Sequence, residues 1–487
     1  MLPRAVTLLA AFAVLAAGCL GAPKPAALND TAGDAPWDPA PPPSGPTLPT
    51  TPTSPPALSR AAPALACRFA PCEVEALAMG AEPWVAINPA NPDHAVVAAM
   101  SFHRGPADGS AGVAHPWLAA AVTRDGGATW MTSVPPGGPN APASSFASYD
   151  FAADTMVAFA NDGSVVLASL VGRANPTLCV VPAWQCANAP VFANALDLVV
   201  WRSSDGGVTW KEGAVVDRGV GFFTLTPQGK GPLGGYNDRE TIAVDPATGT
   251  IHLIWSHISN MAYDVRAARS TDHGATWSEP ATIATGHYGV TAAALDNVVL
   301  LTFRNTRTGD HALLRSADGG ATWSGPANLG PSGPPTQQPV PVALWRSGTA
   351  LHAVLAQSVG GGNEDLVVRA SRDGGLTWGD PVPAPVSGAT ERRLPALAVD
   401  PATGLGVLAT YRGADAPEKM ALWVVPLIDG FPGGNAFQVS NRTADPGAAF
   451  DYMGVAASPQ GGLVAWGVRA DSGAIATATA ALAWSDA

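Results

Sequence analysis

An all-β fold, a single ring of seven four-stranded sheets, is predicted by three features of the sequence. First, one eight-residue pattern occurs five times: "TRDGGATW" ending at Trp130, "SSDGGVTW" at Trp210, "STDHGATW" at Trp277, "SADGGATW" at Trp323 and "SRDGGLTW" at Trp378. Second, each copy follows a short β-rich run, such as "DLVVWRS" or "DLVVRA", which is a hairpin signature. Third, seven runs of small and apolar residues read as the inner strands of successive sheets, and internal repetition of this kind marks a radial array. They begin at Glu82, Asp154, Glu240, Gly289, Pro339, Arg393 and Asp451.

The turns come first in the argument. In each copy the aspartate, at Asp125, Asp205, Asp272, Asp318 and Asp373, can accept backbone N–H groups across a tight turn. The glycines supply positive φ, and the tryptophan can bury its ring between neighbouring sheets with its indole N–H placed to find a partner. Continuing at the shorter interval leads to Asp429 in the eroded "LIDGFPGG" and to Asp486 in "WSDA". The seventh sheet therefore needs an outer strand from elsewhere. "CEVEALAM", Cys72 to Met79, alternates suitably and closes the ring, removing an exposed sheet edge.

The N-terminal portion reads differently. "MLPRAVTLLAAFAVLAAGC" has a basic Arg4, an apolar run and small residues before Cys19, the plan of an export signal. Its "AAGC" ending resembles a lipobox, which implies lipidation at Cys19 and a membrane contact through that lipid alone. Residues 20–66 are rich in Pro, Ala and Thr and read as an extended tether, leaving 67–487 for the propeller. The remaining cysteines fall as two close pairs, Cys67 with Cys72 and Cys179 with Cys186, as expected of loop staples in an oxidising compartment. A cell-surface or periplasmic monomer is expected, with plain secretion as the alternative. A net charge of −12 with only 26 Lys+Arg argues against a nucleic-acid partner. No phosphate-binding loop, HExxH or EF-hand pattern occurs, so neither cofactor nor metal is expected.

The repeated turns resemble Asp-boxes, also called BNR repeats, which occur in sialidases, sortilin ectodomains and photosystem assembly factors. The resemblance implies that the box lies between the third and fourth strands of a blade, on the face away from the binding site. It also offers the six-bladed ring of sialidases as an alternative count.

Topology sends the starts of inner strands and the ends of second strands to the opposite face. Arg239, Arg393 and Asp451 are expected at the former, and Arg173, Arg304, Arg412 and Arg469 at the latter. Several guanidinium groups around one mouth suit an acidic ligand, a carbohydrate or another cell-surface group. Sialidases hold the substrate carboxylate with three arginines and attack through a tyrosine activated by a glutamate, with an aspartate as acid. "DYMGVAASPQGGLVAW" resembles the tyrosine segment and "ETIAVDPATGTIHLIWSH" the glutamate segment, which implies Tyr452 as nucleophile and Glu240 as its base. Asp108, in "SFHRGPADG", is the candidate acid on the ground of its loop alone. The family's arginines do not stand at their usual places: Ser256 or His257 replaces one, and Ala81 another. Two readings follow, an exo-glycosidase of sialidase type and a non-catalytic propeller that binds glycan or protein, with a lyase or another glycosidase as a further class.

Overall fold

The computed structural model describes residues 63–78, 80–102, 116–138, 141, 143–149, 151–172, 196–219, 222–226, 229–233, 235–259, 262–331, 340–359, 365–384, 391–413, 420–441, 452–469 and 475–485. They form seven blade sheets of antiparallel strands and one separate hairpin, Phe222–Thr226 with Gly229–Leu233; within each blade the strands run in sequence order from the inside outward, except that the outer strands of the last blade come from the N-terminal end. Blade 1 starts with Gly80–Asn88, blade 2 with Phe151–Phe159, blade 3 with Gly235–Val244 and blade 4 with His287–Leu295. Blades 5, 6 and 7 start with Val342–Ser347, Glu391–Val399 and Gly454–Ser458. Each of these first strands packs against the next, and the last packs against the first, so the ring is closed. The chain is a seven-bladed propeller, and the six-bladed alternative is set aside.

Seven apolar clusters, one at each seam between neighbouring blades, form the core. Sheets covered on both faces need continuous apolar runs rather than alternation. The run Ala95–Met100 in the second strand of blade 1 shows the result, since every residue in it is at most 2% exposed. Alanine dominates there because two sheets approach closely near the axis.

Closure differs from expectation in one respect. The segment Glu73–Leu77 does pair with Ile475–Trp484, but Leu65–Cys67 pairs with the same strand further along, with Leu65 opposite Trp484. The folded chain thus begins before residue 67, because Leu65 is buried and the outer edge of blade 7 is long enough for two short strands. The Cys67–Cys72 disulfide joins them. Cys19, Cys179 and Cys186 lie outside the described residues.

The repeated turns sit between third and fourth strands in blades 1 to 5. At Asp373, Oδ1 accepts from Ser371 Oγ (2.7 Å) and from the N–H groups of Leu376 (3.0 Å) and Thr377 (2.8 Å), while Oδ2 accepts from Thr377 Oγ1 (2.5 Å). The threonine bonds hold the carboxyls of Asp272 and Asp318 down to about 2. Gly375 has φ +85, and a Cβ there would lie 2.9 Å from Leu300 of the neighbouring blade, so both conformation and close approach exclude a side chain.

Two features depart from the sequence reading. Only Trp210 finds an indole partner, Ser133 Oγ at 2.9 Å; the buried Nε1 atoms of Trp130, Trp277, Trp323 and Trp378 have none among the described residues. The rings slide into apolar seams, where packing outweighs a hydrogen bond. The second is a set of cross-blade arginines. Arg202 Nε donates to the His273 carbonyl (2.8 Å), Arg269 Nη1 to that of Gly319 (3.3 Å) and Arg315 Nε to that of Gly374 (3.0 Å). Each stands three residues before its own blade's aspartate and ties that blade to the next turn.

Candidate functional site

The inner strands begin with a shared irregularity. Their register with the second strand shifts between Ala81 and Trp84, Ala153 and Met156, Asp238 and Thr241, Tyr288 and Val290, and Arg393 and Ala396. Within these bulges Glu82, Asp154, Arg239 and Leu394 have φ between 50° and 52°, and Gly289 has φ 67°. For residues other than glycine this conformation costs on the order of 1–3 kcal/mol each, and such strain gathers where side chains are aimed for a purpose.

Three of those strained residues carry charge and meet at the ring centre. Tyr452, just before the inner strand of blade 7, donates its hydroxyl to Asp154 Oδ2 of blade 2 at 2.9 Å. The same oxygen accepts the Arg239 backbone N–H at 3.3 Å, and the Asp154 N–H reaches Glu82 Oε2 at 3.4 Å. Arg239 of blade 3 packs its guanidinium against two tyrosine rings, 5.6 Å from the centroids of both Tyr288 and Tyr452. Its Nε donates to Tyr288 Oη (3.1 Å), which donates in turn to Asp238 Oδ2 (2.7 Å). Blades 1, 2, 3, 4 and 7 are thereby joined across the axis. Beneath lies a cavity of about 100 Å³ lined by Trp84, Met156, Thr241, Val290, Leu394 and Tyr452 among others.

Enclosure governs the electrostatics. Arg239 is 1% exposed, Glu240 0% and Tyr452 8%. Burial, then the negative charges of Asp154, Asp238 and Glu82, push the Glu240 carboxyl well above the carboxylate range. Burial and Asp154 likewise push the Tyr452 phenol well above its ordinary value, with Arg239 opposing. The tyrosine therefore rests as a neutral phenol beside an acceptor. Among the described residues no group of three or more His, Cys, Asp or Glu is disposed to hold a metal ion.

The sequence reading placed Tyr452 against Glu240 on an open rim. The hydrogen bond goes instead to Asp154, and the cluster is largely buried in the centre of the ring, with Tyr452 lining the cavity. The physical reason is the bulge: it sets Arg239, rather than the following Glu240, against the Tyr452 ring. Asp154 was read only as the start of an inner strand; its signal was its alignment with Glu82 and Arg239 at the same bulge. Arg304 and Arg412 do not join Tyr452 in any described contact. Arg304 Nε donates to the Gly309 carbonyl of its own hairpin (3.3 Å), and Arg412 stacks over Trp423 at 4.3 Å. The backbones of Arg393 and Arg469 lie in the first strand of blade 6 and the second of blade 7, with their side chains outside the described residues. Asp108, Arg173 and Asp451 fall outside them altogether. Of Ser256 and His257, the two residues at the position where the resemblance expects an arginine, His257 is buried and bonded to Asn237 Oδ1 through Nδ1 at 2.8 Å.

Sialidases are among its structural neighbours. A Hadza microbial sialidase is 14% identical over 69% of this chain and 63% of its own, with a TM-score of 0.46. Trypanosoma rangeli sialidase in complex with the inhibitor DANA is 11% identical over 84% and 55%, with a TM-score of 0.42. A protein of unknown function from Dyadobacter fermentans is 15% identical over 86% and 99%, with a TM-score of 0.48. The chain spans less than two thirds of the length of either sialidase. No family model and no curated protein matches it. Similarity at this level assigns no residue a role, and the blade count rests on strand order alone.

Proposed function

We propose that the chain is an exported glycosidase of sialidase type that acts on acidic terminal sugars through Tyr452, with Asp154 as its base. The observation that carries this reading is the 2.9 Å bond from the Tyr452 hydroxyl to the Asp154 carboxylate. A free phenol, with a pKa near 10, is a weak nucleophile until a neighbouring base accepts its proton. As Tyr452 Oη bonds to the anomeric carbon, its proton passes to Asp154 and the bond to the leaving oxygen breaks, that oxygen taking a proton from an acid. Water then attacks the anomeric carbon and gives a proton to the acid's conjugate base, while the Tyr452 oxygen leaves and takes its proton back from Asp154, with retention of configuration. Arg239, its cation over the Tyr452 ring, favours the negative charge that develops on the phenol oxygen. Export is supported by the Cys67–Cys72 bond, which suits an oxidising compartment. The tether of residues 20–62 and lipidation at Cys19 complete the proposal.

A second reading, recognition of a glycan or protein without chemistry, is favoured by one observation: Arg239 is enclosed by two tyrosine rings and is 1% exposed, so its charge serves internal carboxylates. A fluorogenic sialoside separates the two. The wild type is expected to release the fluorophore, and Asp154→Asn to reduce kcat/KM roughly 10²- to 10⁴-fold, the usual worth of a positioned base. A folded wild type inactive on sialosides and other acidic glycosides would sink the glycosidase reading.

A further inference from the structure

We propose that the ring centre holds one proton between two carboxyl groups, with Glu240 as its keeper and Asp154 as its ionised partner, which makes Glu240 a positioning residue for the Tyr452–Asp154 pair. The role in catalysis rests on the glycosidase reading; the placement of the proton does not.

Among the described residues, four carboxyl groups, from Glu82, Asp154, Asp238 and Glu240, share an enclosed region with the Arg239 guanidinium, and their hydrogen bonds are unequal. Asp154 Oδ2 accepts from Tyr452 and from the Arg239 N–H, Asp238 Oδ2 from Tyr288, and Glu82 Oε2 from the Asp154 N–H. Glu240 has no partner from any other residue: both oxygens are buried, only its own backbone N–H acts on them, and the residue is 0% exposed. A buried carboxylate short of donors is far more costly than a neutral acid, whereas one holding two donors is stabilised as the anion. Carboxyl groups crowded in a buried site cannot all ionise, so the proton settles where donors are fewest. Among the described residues the charged and titratable groups clustered around Glu240 come from five blades: Glu82, Asp154, Asp238 with Arg239, Tyr288 and Tyr452. Burial and three like charges among them act in the same direction, with Glu240's own backbone N–H opposing.

The consequence concerns the base. With Glu240 neutral, Asp154 carries the negative charge and stands ready to take the Tyr452 proton. With Glu240 ionised, a second anion would raise the proton affinity of both Asp154 and Tyr452 and would strain the junction of five blades. The sign for stability follows. The folded carboxyl titrates above its unfolded value, so its contribution is complete at acid pH and is lost as pH rises through the folded value.

Infrared difference spectroscopy on the intact protein tests this. At neutral pH the wild type is expected to show the carbonyl band of a buried protonated carboxylic acid, absent in Glu240→Gln and kept in Asp154→Asn. The thermal midpoint of Glu240→Gln, measured against wild type, should gain progressively as pH rises from the ordinary carboxylate range towards the raised folded value. Absence of the band in the wild type, its survival in Glu240→Gln or its loss in Asp154→Asn would each overturn the assignment. If Glu240→Gln fails to fold, the wild-type and Asp154→Asn spectra still decide. No substrate enters the measurement, so failure of the glycosidase reading leaves it intact.

Discussion

Tyr452→Phe is expected to lower sialoside hydrolysis by roughly 10³-fold or more, the scale of losing a nucleophile that acts as a unit with its base. Its effect on the fold is smaller but not negligible. Removing the hydroxyl takes one of two described donors from Asp154 Oδ2 in an enclosed site, which costs about 1–3 kcal/mol. The ring of Tyr452 still covers the cavity and still packs beside Arg239. Kinetics and a thermal melt on one preparation therefore separate two roles. A collapse in kcat/KM with a shift of a few degrees assigns chemistry to the hydroxyl. Unchanged hydrolysis would reduce Tyr452 to a link between blades.

Why Tyr452 could be singled out from the sequence, and its partner could not, comes down to what each depends on. The blade count was legible because the seven small-residue runs mark every sheet and the five DxGxTW turns mark the first five a second time, and both are local signals. The ring closer was legible in part, since "CEVEALAM" alternates as an edge strand does, while Leu65–Cys67 sits inside proline-rich sequence and has no pattern of its own. Asp154 and Glu240 lie on adjacent inner strands, and which of them meets Tyr452 depends on the left-handed bulge at Arg239 and on the curvature of seven blades. Neither is written in residue spacing. The cross-blade arginines are the opposite case, because Arg202, Arg269 and Arg315 repeat at a constant offset from the turn aspartate, and that periodicity was available in the sequence. The expected gathering of arginines failed to consider local partners: Arg412 has the Trp423 ring beside it and Arg304 the carbonyl of its own hairpin.

Deleting residues 1–78 is expected to abolish cooperative folding, whereas deleting 1–62 should leave the thermal midpoint unchanged. The longer deletion strips both closing strands from Ile475–Trp484 and leaves a full-length unpaired edge, a template for aggregation. It also removes buried Leu65 and Leu77, each worth about 1.5–3 kcal/mol, together with the Glu73 carboxylate that accepts the Asn441 N–H at 2.8 Å. The total, on the order of 5 kcal/mol, is comparable with the net stability of many domains. Size-exclusion chromatography and a melt report the outcome. A soluble monomer of 79–487 with a wild-type midpoint would mean that the ring is held by its seams and not by its closing strands.

Trapping the covalent intermediate decides whether Tyr452 is the nucleophile. A fluorinated acidic-sugar donor, which forms the glycosyl–enzyme quickly and loses it slowly, is incubated with the wild type, and the digested protein is mapped by mass spectrometry. A single adduct is expected on the peptide containing Tyr452, absent from Tyr452→Phe and strongly slowed in Asp154→Asn. Turnover of the sugar with no adduct at Tyr452, or an adduct on a carboxylate instead, would contradict a nucleophilic Tyr452.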